Sequence, residues 1–278
     1  MNKNKLLKTF VINLDDYEYN YIKQKPYLEN IGLDVQRFKG INALKDEHLK
    51  YTSYIYFIAL EFSPKSTIGC SLSHILLYNY IYNNYYNNDD EYYLILEDDA
   101  YPLDIYDSKD IFYNTVAETV KEITQIDSNW EIINLYTAGL LHNTNLINMA
   151  NASTAAYLIS KRGLQTLINM KVSWHHDIVL NIIAKKYKAK NNLFNTNEEH
   201  STNRIETNTY LSRVKETLLS YIINIDGFSY KQVLSYKCLR IKNKEYTAND
   251  LIDFFVLFIT ILSILMYIIC KNRNQTQK

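Results

Sequence analysis

Three consecutive carboxylates, Glu97, Asp98 and Asp99, follow an apolar run from Tyr92 to Leu96. The run has the length and composition of a buried central strand, and ligands collect beyond the carboxyl ends of such strands in open α/β sheets. Because side chains alternate along a strand, Glu97 and Asp99 are expected on one side and Asp98 on the other. Two hard oxygen donors on one face suit a magnesium- or manganese-class ion with open positions for phosphate oxygens. An acidic turn after a core strand is the alternative interpretation.

Strands and helices alternate on both sides of this acid-tipped strand. Apolar runs predict strands at 10–14, 34–39, 92–96, 131–135 and 155–160. Helical spacing predicts helices at 17–30, from about 71 to 83, and at 108–126, 164–170 and 176–187. This alternation predicts an α/β fold with a mostly parallel sheet and helices on both faces.

Two of the predicted helices carry further candidate residues. Gly69 is expected to supply the turn into the second helix and Ser71 to cap it, which places His74 one turn along, facing the acidic tip. His74 could contact a diphosphate or a metal-binding carboxylate, or be a packed core histidine. Asp177 follows His176 at the start of a later helix, so it is a candidate general base or simply a helix cap.

Composition excludes some classes of protein. The chain has 278 residues with 30 Lys and Arg against 30 Asp and Glu, so no basic field attracts nucleic acid. Its three cysteines, Cys70, Cys238 and Cys270, are far apart and predict neither a disulfide framework nor a zinc site. The 26 tyrosines are interpreted as codon bias rather than as a binding stripe.

The C-terminal region contains a predicted transmembrane anchor. Residues 254–270 are apolar apart from two hydroxyl side chains, and as a helix they would span roughly 25 Å. A buried helix is the alternative. The domain prediction is a globular domain at 1–205, a polar extension and linker at 206–250, a single-pass C-terminal anchor at 251–270 and a basic tail at 271–278. With no export signal before the first strand, the globular domain is expected in the cytosol.

Five short motifs occur in an order that is more specific than any one of them. They are Ile12-Asn13-Leu14-Asp15, Ile68-Gly69-Cys70-Ser71-Leu72-Ser73-His74, Leu94 to Asp99, Ala156-Tyr157-Leu158-Ile159-Ser160 and His176-Asp177. This succession resembles glycosyltransferase family 25, which includes bacterial lipooligosaccharide galactosyltransferases and procollagen galactosyltransferases. The resemblance covers Phe10 to Ile205, and its specific part pairs the second motif with the acidic one.

The resemblance implies a Rossmann-type nucleotide-sugar fold of the GT-A class and a divalent metal, Mn²⁺ or Mg²⁺. It also implies a nucleotide-sugar donor, a glycan, glycolipid or glycoprotein acceptor, and transfer of a hexose with inversion. The residues expected to act are Glu97, Asp99 and His200 at the metal, Asp98, Ser73, His74 and Asn13 at the donor, and Asp177 as the base.

One departure from the family pattern leaves alternatives open. Family members usually carry an arginine early in the first helix, where this chain has Tyr17 to Tyr21, with Lys23 as the first cation. A catalytically degenerate sugar-binding or membrane scaffold protein is therefore an alternative to the membrane-tethered hexosyltransferase. Nucleotidyl transfer is a further alternative, although it normally needs a Gly-rich or basic phosphate loop, which we do not find in the sequence.

Overall fold

A computed structural model describes residues 8–87, 92–137, 153–196, 217 and 234–276, with side chains omitted for 260 and 264–276. These residues fall into two compact units, one at 8–196 and one formed by 217 and 234–276. The predicted boundary after 205 lies outside the described residues.

A six-stranded sheet forms the centre of the first unit. Its strands are β1 (Lys8–Asn13), β2 (Asp34–Lys39), β3 (Tyr92–Glu97), β5 (Ile132–Asn134), β6 (Ala156–Ser160) and β7 (Lys186–Lys188). The order across the sheet is β2-β1-β3-β6-β5-β7. Every adjacent pair is parallel except those of β6, which runs against both its neighbours. The predicted mostly parallel α/β sheet is therefore confirmed.

Helices cover both faces of this sheet, as expected. They are α1 (Glu18–Asn30), α2 (Phe57–Phe62), α3 (Lys65–Tyr85), α4 (Lys109–Ile126), α5 (Lys161–Leu167) and α6 (His176–Ile183). Leu94 and Leu96 of β3 pack in one apolar core with residues of α1 and α4. Tyr93 and Ile95 alternate to the opposite face and pack with residues of α3, α5 and α6.

Three helix predictions are wrong in detail. The helix predicted at 164–170 runs instead from Lys161 to Leu167. Helix α3 begins at Lys65, so Gly69 lies inside the helix and not at its start. The helix predicted at 176–187 ends at Ile183, because the chain then enters β7. Ile182, expected to face inward, is 78% exposed. The spacing of isoleucines in this short segment fits a helix, but Lys186 and Tyr187 at its end pair with β5 as part of β7.

A short antiparallel pair extends the acidic tip of β3. After Glu97 a turn of two residues leads into β4 (Ala100–Pro102), which pairs with β8 (Phe194–Thr196). Strand β8 is therefore held beside the acidic turn by its pairing with β4.

The second unit contains a hairpin and a long helix. Strands β9 (Lys237–Ile241) and β10 (Lys244–Thr247) are antiparallel, and α7 (Ala248–Thr276) follows. Thr247 and Asp250 cap this helix reciprocally: the Asp250 carboxylate accepts from the Thr247 main-chain N–H at 2.8 Å, and the Thr247 hydroxyl accepts from the Asp250 N–H at 3.3 Å. The hairpin lies in the region predicted as a polar linker.

The predicted transmembrane anchor is not found, since the described part of the chain holds no helix whose length and apolarity would let it cross a bilayer. The predicted span continues to Cys270, and its side chains after Ser263 lie outside the described residues.

Gly69 is required for close packing of α3 against the loop after β2. A Cβ at this position would lie 2.6 Å from the carbonyl oxygen of Ile41 and 3.3 Å from the Ala43 Cβ. We expect Gly69→Ala to lower the free energy of unfolding by about 1–3 kcal/mol, although alanine is the better helix former. Urea denaturation measures this loss. Asn83→Ala, at an exposed position of the same helix, is the control and should change stability by less than about 0.5 kcal/mol.

Candidate active site

The backbone of the acidic turn is held by a side chain of α1. The buried Gln24 amide donates to the carbonyl oxygen of Glu97 at 2.9 Å and to that of Ala100. Both ends of the turn are therefore fixed to one helix, which sets the positions of Asp98 and Asp99 between them.

Glu97 is oriented through one of its two carboxylate oxygens. Its Oε1 accepts from the Thr154 hydroxyl at 2.6 Å and lies 3.2 Å from His74 Nε2. Burial tends to raise the pKa of Glu97, but the neighbouring His74 and Thr154 outweigh it, so this pKa lies below its usual value. Glu97 is therefore ionised at neutral pH, and its side chain is 30% exposed.

Asp98 points to the other side of the strand tip, as the alternation along β3 predicted. Its Oδ2 accepts from the Asn13 amide at 2.5 Å and from the Asn20 amide at 3.4 Å. The β1–β3 register pairs Ile12 with Glu97, which brings Asn13 beside the acidic turn. Burial raises the pKa of Asp98, while the two amides partly offset this effect.

A cation that the sequence analysis missed lies on the Asn13 side. Arg37 of β2 donates through Nε to Asn13 Oδ1 at 2.7 Å and through its terminal nitrogen to Asp15 at 2.8 Å. Lys39 also pairs with Asp15, at 2.6 Å. The position of Arg37 near the carboxyl end of a strand paired with β1 was the available signal, but only strand order identifies that neighbour. On the Asn13 side, this chain lacks the early arginine of the family pattern. Two cations from β2, Arg37 and Lys39, lie there instead.

The structure brings Asp177 into the electrostatic field of the acidic turn. Asp177 lies in the first turn of α6 and is 7% exposed. Burial raises its pKa, the charges of His175 and Lys186 lower it, and that of Glu97 raises it again. The pKa of the thiol of the half-buried Cys70 is raised by desolvation and by the charges of Glu97, Asp177 and Asp99. These three carboxylates therefore all lie close enough to Cys70 of α3 to influence its thiol.

Two other predicted donor residues have different surroundings. Ser73 is 2% exposed, and its hydroxyl donates to the Gly69 carbonyl at 2.7 Å and accepts from the Ile41 N–H at 2.8 Å. These contacts brace α3 against the loop after β2. His74 is also buried, with Nδ1 2.8 Å from the Tyr157 hydroxyl. His200 lies outside the described residues.

The donor atoms at the strand tip can be tested against a metal ion. Cys70, His74 and Glu97 each offer a ligand atom, all within 4.8 Å of one another, and Asp99 is not part of this triad. A thiol with a raised pKa stays protonated and is a poor ligand for Mn²⁺ or Mg²⁺, which prefer oxygen. Glu97 instead has Oε1 held by protein donors, so Oε2 is its candidate ligand atom. Of the triad, the carboxylate of Glu97 is the donor type that such an ion prefers.

Comparison with known protein families decides the class of this site. The sequence model described as glycosyltransferase family 25 (LPS biosynthesis protein) matches residues 6–269. The chain belongs to glycosyltransferase family 25. No curated protein matches the chain.

Membership of glycosyltransferase family 25 gives the chain a general activity. A glycosyltransferase binds a nucleotide sugar and an acceptor. The acidic turn of this family 25 protein follows the carboxyl end of β3, the end of a strand beyond which ligands collect in α/β sheets. The match also extends beyond Ile205, where the motif resemblance ended, to residue 269. The hairpin β9–β10 and most of α7 therefore belong to the length that the family shares.

Lys186 generates a prediction about pH and stability. It is 1% exposed, and burial lowers its pKa to about 8, against the opposing charge of Asp177. An unfolded lysine has a pKa of about 10.4, so the unfolded chain binds more protons between these values and the free energy of unfolding should rise with pH from about 8 to about 10.

We expect Lys186→Met to flatten this rise, as measured by urea denaturation at pH 7.5, 8.5 and 9.5. Lys185→Met is the matched control, because the Lys185 side chain is 50% exposed, and it should keep the wild-type slope. Equal slopes in the wild type and Lys186→Met would contradict the prediction.

Proposed function

We propose that this protein is a metal-dependent hexosyltransferase. It transfers galactose or glucose from a UDP-sugar to a glycan, glycolipid or glycoprotein acceptor, with inversion at the anomeric carbon. One observation supports the proposal most directly. At the tip of β3, Glu97 and Asp98 are oriented by different protein donors on opposite sides of one turn.

Glu97 and Asp99 are the proposed ligands of Mn²⁺ or Mg²⁺. When bound, the ion offsets the negative charge that develops on the departing diphosphate. The protein supplies ionised oxygen donors because the contacts from His74 and Thr154 keep the pKa of Glu97 low. These contacts also leave the second oxygen of Glu97 in a defined direction.

Asp98 is the proposed contact for hydroxyl groups of the donor. A carboxylate accepts hydrogen bonds from sugar or ribose hydroxyls, and the amides of Asn13 and Asn20 fix its orientation. Arg37 holds Asn13 from the far side, so it positions this contact and adds positive charge near a diphosphate ligand.

Asp177 is the proposed base. The acceptor hydroxyl oxygen forms a bond to the anomeric carbon while the bond from that carbon to the diphosphate oxygen breaks. The hydroxyl proton passes to the Asp177 carboxylate, and UDP leaves with the electron pair of the broken bond. Burial raises the pKa of Asp177, which makes this carboxylate a stronger base than an exposed one.

This function predicts a separation between metal binding and chemistry. We expect Asp99→Asn to weaken Mn²⁺ binding at least tenfold and to abolish Mn²⁺-dependent release of UDP from UDP-galactose and UDP-glucose, because the amide keeps the shape but loses the charge. Titration calorimetry and a UDP-release assay measure the two effects.

Asp177→Asn is the contrasting variant. It should bind Mn²⁺ and UDP as the wild type does and yet lose about 10²–10⁴-fold in transfer rate, as expected for a lost general base. Asp104→Asn, at an exposed position outside the acidic turn, is the control and should behave as the wild type. Metal-independent release of UDP by the wild type, or full activity of Asp177→Asn, would contradict the assignment, and silence with every donor would favour a degenerate binding protein.

We further propose that α7 tethers the enzyme to a membrane, with the catalytic unit on the cytosolic side. Five consecutive apolar side chains, from Phe254 to Phe258, are each more than half exposed. Those of Ile259, Ile261 and Leu262 are almost half exposed. The segment from Phe254 to Leu262 is about 13 Å long as a helix, a length that reaches into one leaflet. Exposed apolar surface of this extent is typical of an interaction site.

Vesicle flotation tests the tether. We expect the full chain to float with phosphatidylethanolamine and phosphatidylglycerol vesicles, and Phe255→Lys/Phe258→Lys to float less, because charged side chains enter a bilayer poorly. Ile182→Lys, which changes another exposed apolar residue, is the control. Equal flotation of all three proteins would contradict the role of α7.

A further inference from the structure

A buried chain of four hydrogen bonds connects Glu97 with the interior of the first unit. Glu97 Oε1 lies 3.2 Å from His74 Nε2, and His74 Nδ1 lies 2.8 Å from the Tyr157 hydroxyl. The hydroxyls of Tyr157 and Tyr78 are 2.7 Å apart, and that of Tyr78 lies 2.8 Å from His176 Nε2. The rings of His74 and His176 stack with their centroids 4.8 Å apart.

The Glu97 end of the chain determines where the protons lie. A carboxylate oxygen is only an acceptor, so Glu97 favours a hydrogen on His74 Nε2, and in a neutral imidazole ring Nδ1 then accepts. Tyr157 therefore donates to His74, and its own oxygen accepts from Tyr78. The Tyr78 oxygen must then accept from His176 Nε2–H, which leaves His176 Nδ1 with a lone pair. The whole chain donates in one direction, toward Glu97.

The opposite end requires the same direction for a separate reason. Burial lowers the pKa of His176 well below its usual value, and the charge of Lys186 adds to this effect, so this ring is neutral and carries one hydrogen. Within the described part of the chain, neither His176 Nδ1 nor Lys186 Nζ has a hydrogen-bond partner, and both atoms are buried. A lone pair on Nδ1 is favourable in the field of the Lys186 ammonium, whereas an N–H there would be unfavourable.

With a neutral His74, the reverse direction is unfavourable at both ends. It would set a lone pair of His74 Nε2 against the Glu97 carboxylate and an N–H of His176 in the field of Lys186. His74 could then ligate a metal through Nε2, as the triad with Cys70 would require. In the observed arrangement His74 instead acts as a donor that occupies one oxygen of Glu97.

We propose that Tyr78 and Tyr157 are positioning residues that hold His74 as its Nε2–H tautomer. The tautomer binds Oε1 of Glu97 and thereby presents Oε2 to the metal. The presentation of Oε2 to a metal rests on the proposed function, because it needs the metal site. The tautomer of His74 is a property of the metal-free protein. The two can therefore be tested separately.

Nitrogen-15 NMR of the histidine rings tests the tautomer in the full-length, metal-free protein. We expect the His74 signals, assigned by their loss in His74→Gln, to show a protonated Nε2 and an unprotonated Nδ1. In Tyr157→Phe the donor to Nδ1 is lost, so the two tautomers should mix and Mn²⁺ affinity should fall about tenfold or more, the usual effect of removing an outer-shell partner. Calorimetry with Mn²⁺ alone measures the affinity.

Tyr93→Phe is the matched control. It removes a buried tyrosine hydroxyl from β3 that donates to the Tyr85 carbonyl at 2.7 Å and takes no part in the chain, so it should leave both the tautomer and Mn²⁺ affinity unchanged. Should Tyr157→Phe not fold, Tyr78→Phe interrupts the chain one bond farther from His74 and should mix the tautomers to a smaller extent.

A protonated Nδ1 in the wild type, or a single unchanged tautomer in the tyrosine variants, would overturn the inference. If the wild type shows the expected tautomer but does not bind Mn²⁺, the tautomer assignment stands and the proposed metal-dependent function fails.

Discussion

The structure depends on placing ionised carboxylates at the end of a buried strand. Moving a carboxylate out of water is costly unless donors or cations replace the lost hydration. Here the replacement comes from four different elements: α3 and the segment before β6 provide the donors to Glu97, while β1 and α1 provide those to Asp98. Since these donors lie far apart in sequence, the acidic turn can form only when the first unit is folded.

The same requirement explains several features of the local backbone. The buried Gln24 reaches two carbonyl oxygens of the turn, and Gly69 lets α3, the helix that carries His74, pack closely against the loop after β2. A glycine inside a helix usually costs stability. In this protein the glycine permits the close packing of the helix that carries His74.

The sheet and the acidic tip could be predicted from the sequence because both depend on local patterns. The apolar run ending in Glu97 and the alternation that separates it from Asp98 follow from the strand period alone. The start of α3 was missed because a glycine and a serine looked like a helix boundary. Arg37 was missed because its relation to Asn13 depends on strand order, and sequence does not give strand order.

Tyr78 lies four residues after His74, on the same helix face, and that spacing was an unused signal. Tyr157 and Lys186 have no such local signal, because their relevance arises only when β6 and β7 pack beneath α3 and α6.

The central claim is that Glu97 and Asp99 bind a divalent metal ion against a sugar nucleotide. Its most direct test is a crystal grown with MnCl₂ and UDP, measured near the manganese absorption edge. We predict one anomalous peak within about 2.0–2.3 Å of a carboxylate oxygen of each residue, with the UDP diphosphate completing the coordination. Density for UDP without a manganese peak at the tip of β3, or a peak bound only by other residues, would contradict the account.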